Sequence, residues 1–437
     1  MLGIPANAQS YPTISCNAGH PSVRRSLTWL TASALPGVLP GIAMSPLVLT
    51  ALLQARDGRT WCLFLPMLPA AAAIAALPIA CWYEQRQAKP VFLTALTGAR
   101  LSLALAFAAL LPGLQAWSGG LLFAAFAGYC LVNAAGGGSC QAWLQALLPP
   151  RVQGTYLGRR NALSTVAGCL CTLGITAAIA HPDTLGLCDA ATVGRLLFAT
   201  ALAMALLDLA ILSQVSPGRL VPKAPSASLG RRLRDRRLWR TAVQPVLAGA
   251  GGLIAAPVGL LVWYDLGLDA LQVGAIGIAA MAGGAIGFWY GGRLADRIAP
   301  TKLLACGAAA QALGLAALVV IGALACRLAP SGGLLCTVGI TLAAAGAIPA
   351  TIAAMAQTKL VFQSVPGGAA GDFACIGTIA SLLSLAVMAS AGLLAVWLQG
   401  HATAMPAGLP TSLPLLALAS MASMGGWWML QRRRATA

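Results

Sequence analysis

Long apolar runs decide what this chain can become. A helix needs about 20 consecutive, mostly apolar residues to cross a bilayer. Runs of that kind fall at 28–54, 61–83, 90–112, 119–147, 161–181 and 190–214, and again at 241–264, 271–292, 302–326, 333–362, 371–398 and 411–431. Only 8% of the residues are Asp, Glu, Lys or Arg, while 59% are apolar. An ordinary soluble domain carries about 25% charged residues, so this chain cannot clothe a water-facing surface. The expected fold is an all-α integral membrane protein of about twelve transmembrane helices. The seventh run holds Pro245, Gly249, Gly251, Gly252 and Pro257 and is expected to break. Freed backbone groups are tolerable at that depth only beside protein or a watery cavity.

The basic residues orient these spans. Arg24 and Arg25, Arg86 and Lys89, Arg151, Arg159 and Arg160 all fall at alternate loops or tails. So do Arg219, Lys223, Arg231, Arg232, Arg234, Arg236, Arg237 and Arg240 in the central segment. Arg293, Arg297, Lys302, Lys359 and Arg432 to Arg434 complete the set, whereas the opposite side receives only Arg56, Arg59, Arg195 and Arg327. Such asymmetry places the basic side in the cytoplasm, with both termini there. It accounts for the net charge of +17 without nucleic acid, since dispersed loop cations oppose translocation and meet anionic lipid. The expected location is a cell membrane, the bacterial inner membrane above all, with multiple passes.

Six spans, a basic stretch and six spans suggest a duplicated half. The expected divisions are an N-tail at 1–27, a bundle at 28–214, a linker at 215–240, a second bundle at 241–431 and a C-tail at 432–437. Residues 1–27 lack the basic-then-apolar order of a signal peptide. Gln85-Arg86-x-Ala88 after the second span matches Asp296-Arg297-x-Ala299 after the eighth. Pro150 to Tyr156 after the fourth aligns loosely, at nearly the same offset, with Pro366 to Phe373 after the tenth.

On these loops the chain resembles the major facilitator superfamily of secondary transporters. That family's loop signature is roughly G-x-x-x-D-R-x-G-R-R, and Gly292, Asp296 and Arg297 match it. Ala299, Pro300 and Thr301 replace its final Gly-Arg-Arg, and Gln85 stands where the first-half acid belongs. The stretch from Pro150 to Asn161 also looks like the family's fourth-to-fifth loop, with Arg151-x-x-Gly154 and the pair Arg159-Arg160. The resemblance implies that Asp296 and Arg297 form a cytoplasmic latch, with Gly292, Arg86 and Arg160 as further loop candidates. A carboxylate there can meet a helix N-terminus or a facing cation; the plainer alternative is a solvated turn.

Ionisable groups at membrane depth are functional candidates. Arg100 lies in the third span and Asp208 late in the sixth. A structural pair is the first reading, with an anion-binding Arg100 or a proton-carrying Asp208 as alternatives. Neutral polar residues suit a cavity wall. Tyr129, Asn133 and Gln141 share one face of the fourth span by their spacing, and Gln244 lies in the seventh. By resemblance these two spans border the central cavity, which makes Asn133 the first substrate-contact candidate. Trp263 and Tyr264 read as interfacial anchors. The fifth span carries Gly168 and Gly174, expected to allow close packing. It lacks the family's antiporter Gly-Pro signature, and the fourth lacks a membrane-embedded Arg, which argues against a standard proton-antiport drug pump.

The expected function is alternating-access transport of a small organic solute by a monomer. A non-transporting assembly factor or receptor on the same scaffold is the alternative. An enzyme is disfavoured: His20, His181 and His401 lie outside the spans or at the last residue of one, and Glu84 is the single Glu. No phosphate-binding Gly-x-x-x-x-Gly-Lys loop occurs to drive an ATP pump. No cofactor or metal is expected, because most of the 12 cysteines sit in apolar runs, where Cys behaves as a small hydrophobe.

Overall fold

The computed structural model describes residues 21–46, 48–49, 52, 65–83, 86–180, 190–217, 228–255, 263, 266–268, 270–328, 331–365, 368–400 and 412–435. All regular structure among them is helical. In chain order the helices are α1 (Pro21–Ala32), α2 (Val38–Ala43), α3 (Leu68–Tyr83), α4 (Ala88–Ala109), α5 (Ser118–Leu147), α6 (Gln153–Ala180) and α7 (Ala190–Ser213). Then come α8 (Leu229–Arg234), α9 (Arg236–Ala255), α10 (Ala270–Arg297), α11 (Pro300–Leu328), α12 (Gly332–Ser364), α13 (Ala370–Gly400) and α14 (Ser412–Ala435). Among the described residues, eight helices are long and apolar enough to cross a membrane. The chain is a multi-pass membrane protein.

Two expected boundaries shift for identifiable reasons. The first span is interrupted: α1 stops at Ala32 and α2 starts at Val38. Pro36 and Pro40 have no N–H, so the ladder cannot run through them. Ala34 N bonds Thr31 O instead of Leu30 O. The released Leu30 carbonyl accepts from Ser33 Oγ at 3.0 Å and from Arg160 Nε at 3.2 Å. The basic stretch at 215–240 is not all loop either, because α8 forms within it and α9 begins at Arg236.

The expected break in the seventh span does not appear among the described residues. The helix stays continuous through Pro245 to Ala255, and Pro257 lies outside the described residues. With its amide oriented to satisfy both neighbours, Gln311 of α11 donates to Ala248 O and accepts from Gly252 N of α9, both at 3.2 Å. Trp263 corrects its reading as an interfacial anchor. It is buried in the second half's own core beside Ile276, Leu335 and Leu416. Tyr264 and the three His fall outside the described residues.

Helices α1–α7 pack among themselves, as do α9–α14. Within α10, Gly283, Gly287 and Gly291 recur every fourth residue and lie against Ala344, Ile348 and Ile352 of α12, so closely that an added Cβ would strike that helix. Small residues at this spacing let membrane helices approach backbone to backbone. The halves meet chiefly along two crossings, α6 on α10 and α3 on α13, with α5 also against α13 and α6 against α12. By span order the two crossings are the fifth with the eighth and the second with the eleventh, one contact with the halves exchanged.

The buried apolar residues form three clusters. One joins both halves at the basic end, through Trp143, Leu147 and Leu157 of the first and Ala295, Met355, Phe362 and Phe373 of the second. At the other end each half keeps a core of its own, around Leu49, Leu103 and Phe198 in the first and Trp263, Leu335 and Leu416 in the second. Apolar burial therefore ties the halves together at the basic end.

Candidate functional site

Polar contacts concentrate at that same closed end. Asp296 sits at the end of α10 and points across the seam at the start of α6. Its carboxylate accepts from Gly154 N at 3.0 Å, Thr155 N at 2.7 Å and Thr155 Oγ1 at 2.8 Å. It also accepts from Lys359 Nζ of α12 at 2.6 Å. The first N–H groups of a helix have no partner within it, and a carboxylate there also meets the positive end of the helix dipole. The sequence marks Gly154 only as part of the Arg151-x-x-Gly154 loop and Lys359 only as a loop cation, since nothing local links positions 154, 296 and 359. Arg297, the neighbouring candidate, is exposed, and the cation paired with Asp296 is Lys359.

Glycines bring α6 and α10 close enough for this bond set. A Cβ on Gly158 would lie 2.5 Å from Phe288 O and 2.7 Å from Gly292 Cα. One on Gly154 would lie 2.6 Å from Gly292 O and 2.8 Å from Asp296 Oδ1. Gly292, a candidate by motif, is thus a contact surface for the other half. Gly174 has nothing within 4 Å of an added Cβ, and Gly168 only ordinary contacts. The close packing expected of them belongs to Gly154 and Gly158. Alongside, Arg159 of α6 and Arg293 of α10 lie 5.5 and 5.6 Å from the Trp289 ring centroid, an attractive geometry for a cation near an indole.

A second cross-seam contact caps α12. Gln145 of α5 donates to Phe362 O at 2.8 Å and Val365 O at 2.9 Å, carbonyls left over at a helix end. The chain then turns through Gly368, whose φ of +65° suits glycine. Arg86 is exposed and lies 5.8 and 5.5 Å from the ring centroids of Trp82 and Tyr83. Arg160 is spent on the Leu30 carbonyl at the first-span interruption.

The ionisable residues at membrane depth meet each other. Arg100 Nη2 donates to Asp208 Oδ2 at 2.8 Å, and both side chains are buried. The pair joins α4 to α7, and Asp208 Oδ1 lies beside Gly37 at the first-span interruption. Removing one partner strands the other charge. Arg100→Ala should therefore lower the melting temperature of the detergent-solubilised protein. The double change Arg100→Met with Asp208→Leu should recover most of that loss. Equal melting of the single and double variants would contradict the pairing argument.

The cavity-wall candidates fall on different helices. Tyr129, Asn133 and Gln141 are half-buried on α5. Asn133 Nδ2 donates to the Tyr129 carbonyl one turn back at 2.9 Å. Gln244 lies on α9, which packs on α11, α12, α13 and α14. Its Oε1 is buried without a hydrogen-bond partner, a state that normally requires an explanation.

Comparison with solved structures decides the fold. Residues throughout the chain superpose on a bacterial homologue of the iron transporter ferroportin in an outward-facing state, with a TM-score of 0.65 and 15% identity over 92% of this chain and 99% of that one. The proton:xylose symporter XylE gives a TM-score of 0.67 at 13% identity, covering 94% and 95%. The E. coli fucose:proton symporter gives 0.62 at 14%, covering 93% and 99%. The chain has the major facilitator superfamily fold. At the level of sequence, no family model and no curated protein matches it. The superfamily fold accounts for the two symmetric crossings, α6 on α10 and α3 on α13, as places where its six-helix halves meet.

Proposed function

We propose that this protein is a secondary transporter that moves a small organic solute by alternating access, held here in an outward-facing state. One observation carries the reading: two like halves share an apolar cluster and hydrogen-bonded crossings from the basic end to about mid-helix, and keep separate cores beyond it. Rocking of one half against the other about a midplane site is how such repeats work. The basic loops assign that closed end to the cytoplasm, so the opposite end faces outward. The first comparison structure is described as outward-facing as well.

In this reading Asp296 is the latch. Inward opening must separate it from Gly154 and Thr155, which belong to the other half, while Lys359 can remain its partner within the second half. The unpartnered Gln244 oxygen and the half-buried Asn133 and Tyr129 supply hydrogen bonds to a neutral or weakly polar solute. Arg100 is already committed to Asp208, which favours a bracing role over direct substrate contact. The solved neighbours are transporters, and clustered catalytic groups are no part of this reading.

Purified protein in proteoliposomes, assayed against a panel of radiolabelled sugars, organic anions and amphipathic amines, tests the proposal. Saturable uptake of one class is expected, with Gln244→Ala and Asn133→Ala each weakening it several-fold at unchanged protein level. Absence of flux for every class, with correctly inserted protein, would instead favour a receptor or assembly factor on the same scaffold.

A further inference from the structure

The two crossings between halves are equivalent by symmetry, yet they are secured differently. At α6 on α10 the acid comes from the end of α10 and meets the α6 N-terminus. The symmetric arrangement would put an acid after α3 to meet the N-terminus of α13. The position equivalent to Asp296 holds Gln85, with Glu84 one residue before it. The first turn of α13 carries its own acid, Asp372, so a second carboxylate would face a like charge. This crossing calls for a cation.

The central segment provides one. Arg232 of α8 is only 4% exposed, unlike the neighbouring Arg231 and Arg234, which are exposed. Its Nε lies 3.1 Å from Asp372 Oδ1. Its Nη1 points at Cys81 Sγ on α3, 3.7 Å away. One guanidinium thus touches the first half through α3 and the second through α13. The segment is seated around it: Leu238 is buried in the shared apolar cluster, Leu229 packs against that cluster, and Arg237 donates to Ser364 O at the end of α12.

We infer that Arg232 is a positioning residue, a clamp from the central linker that bridges α3 and α13 and holds their crossing shut. The inference rests on the alternating-access reading, in which this crossing opens once per cycle. It gives the linker a part in transport beyond tethering. Entry of a solute from the cytoplasm would require Arg232 to leave Asp372.

Two native cysteines report on this. Cys375 lies one turn beyond Asp372 and is fully buried, whereas Cys130 is buried within the first half's own core. In inside-out vesicles, alkylation by N-ethylmaleimide can be read peptide by peptide. Arg232→Gln is expected to speed Cys375 labelling about tenfold, the factor carried by ~1.4 kcal/mol, with Cys130 unchanged. Arg232→Lys should give an intermediate rate. The exchanged pair Arg232→Asp with Asp372→Arg should restore protection. Wild-type Cys375 labelling in Arg232→Gln would overturn the clamp. If Cys130 labelling also rises, the exchanged pair decides: restored Cys375 protection upholds the clamp, and its failure overturns it. Labelling needs no solute, so a clamp that holds in a protein without flux would sink the transport reading alone.

Discussion

Asp296→Ala is expected to reduce transport at least tenfold while leaving the protein in the membrane at its normal level. The carboxylate accepts four hydrogen bonds, one of them from a lysine. Hydrogen bonds to a charged group are worth about 1.5–3 kcal/mol each, but the α6 N–H groups regain water when the seam opens. A net loss of about 2–3 kcal/mol for the closed state is therefore reasonable, enough to shift a two-state balance some 30- to 150-fold. The fold should survive, because three of the four hydrogen bonds lost cross the seam and are made in only one of two states. Asp296→Asn tests charge more narrowly: it keeps the shape and removes the ionic partner of Lys359. It too should impair uptake without altering abundance. Unchanged uptake in both variants would remove Asp296 from the mechanism.

The second large effect concerns glycine. Gly158→Val places branched carbon where Phe288 O and Gly292 Cα already lie within 2.5 and 2.7 Å of a bare Cβ. Backbone cannot move aside as a side chain can, so α6 and α10 must separate. Overpacking commonly costs about 1–3 kcal/mol, and here the cost falls on the state closed at the basic end. Transport should nearly vanish, and the resting protein should sit inward-open. Gly174→Val is the matched control, since that position has open space around it. Its uptake should be close to wild type. Equal damage from both substitutions would mean that the fifth span tolerates no bulk anywhere, and the seam argument would fail.

Much of the architecture could be read before any coordinates. Apolar runs count spans because lipid demands them, and cationic loops orient spans because translocation resists them. The Arg100–Asp208 contact was legible for a similar reason: two opposite charges at comparable depth have few other partners. Asp296 was found through its loop motif. Its pairing was not, because Gly154 was legible only as a loop motif and nothing local ties it, Thr155 or Lys359 to position 296. Arg232 was one of eight similar bases in a polar stretch, and only burial separates it from the rest. Two signals were present and passed over. Pro36, Gly37, Pro40 and Gly41 within six residues announce the interrupted first span. Gly154 and Gly158 stand at the four-residue spacing of close helix contact, nearer the basic loop than Gly168 and Gly174.

The central claim is that the α6–α10 seam closes and opens. Genetically encoded spin labels at the exposed positions Val152 and Ile298, near the basic ends of α6 and α10, read it directly by pulsed dipolar spectroscopy in lipid nanodiscs. The wild type should show a short distance matching the closed seam. Asp296→Ala and Gly158→Val should both shift the population to one longer distance. A single short distance in all three proteins would contradict the account.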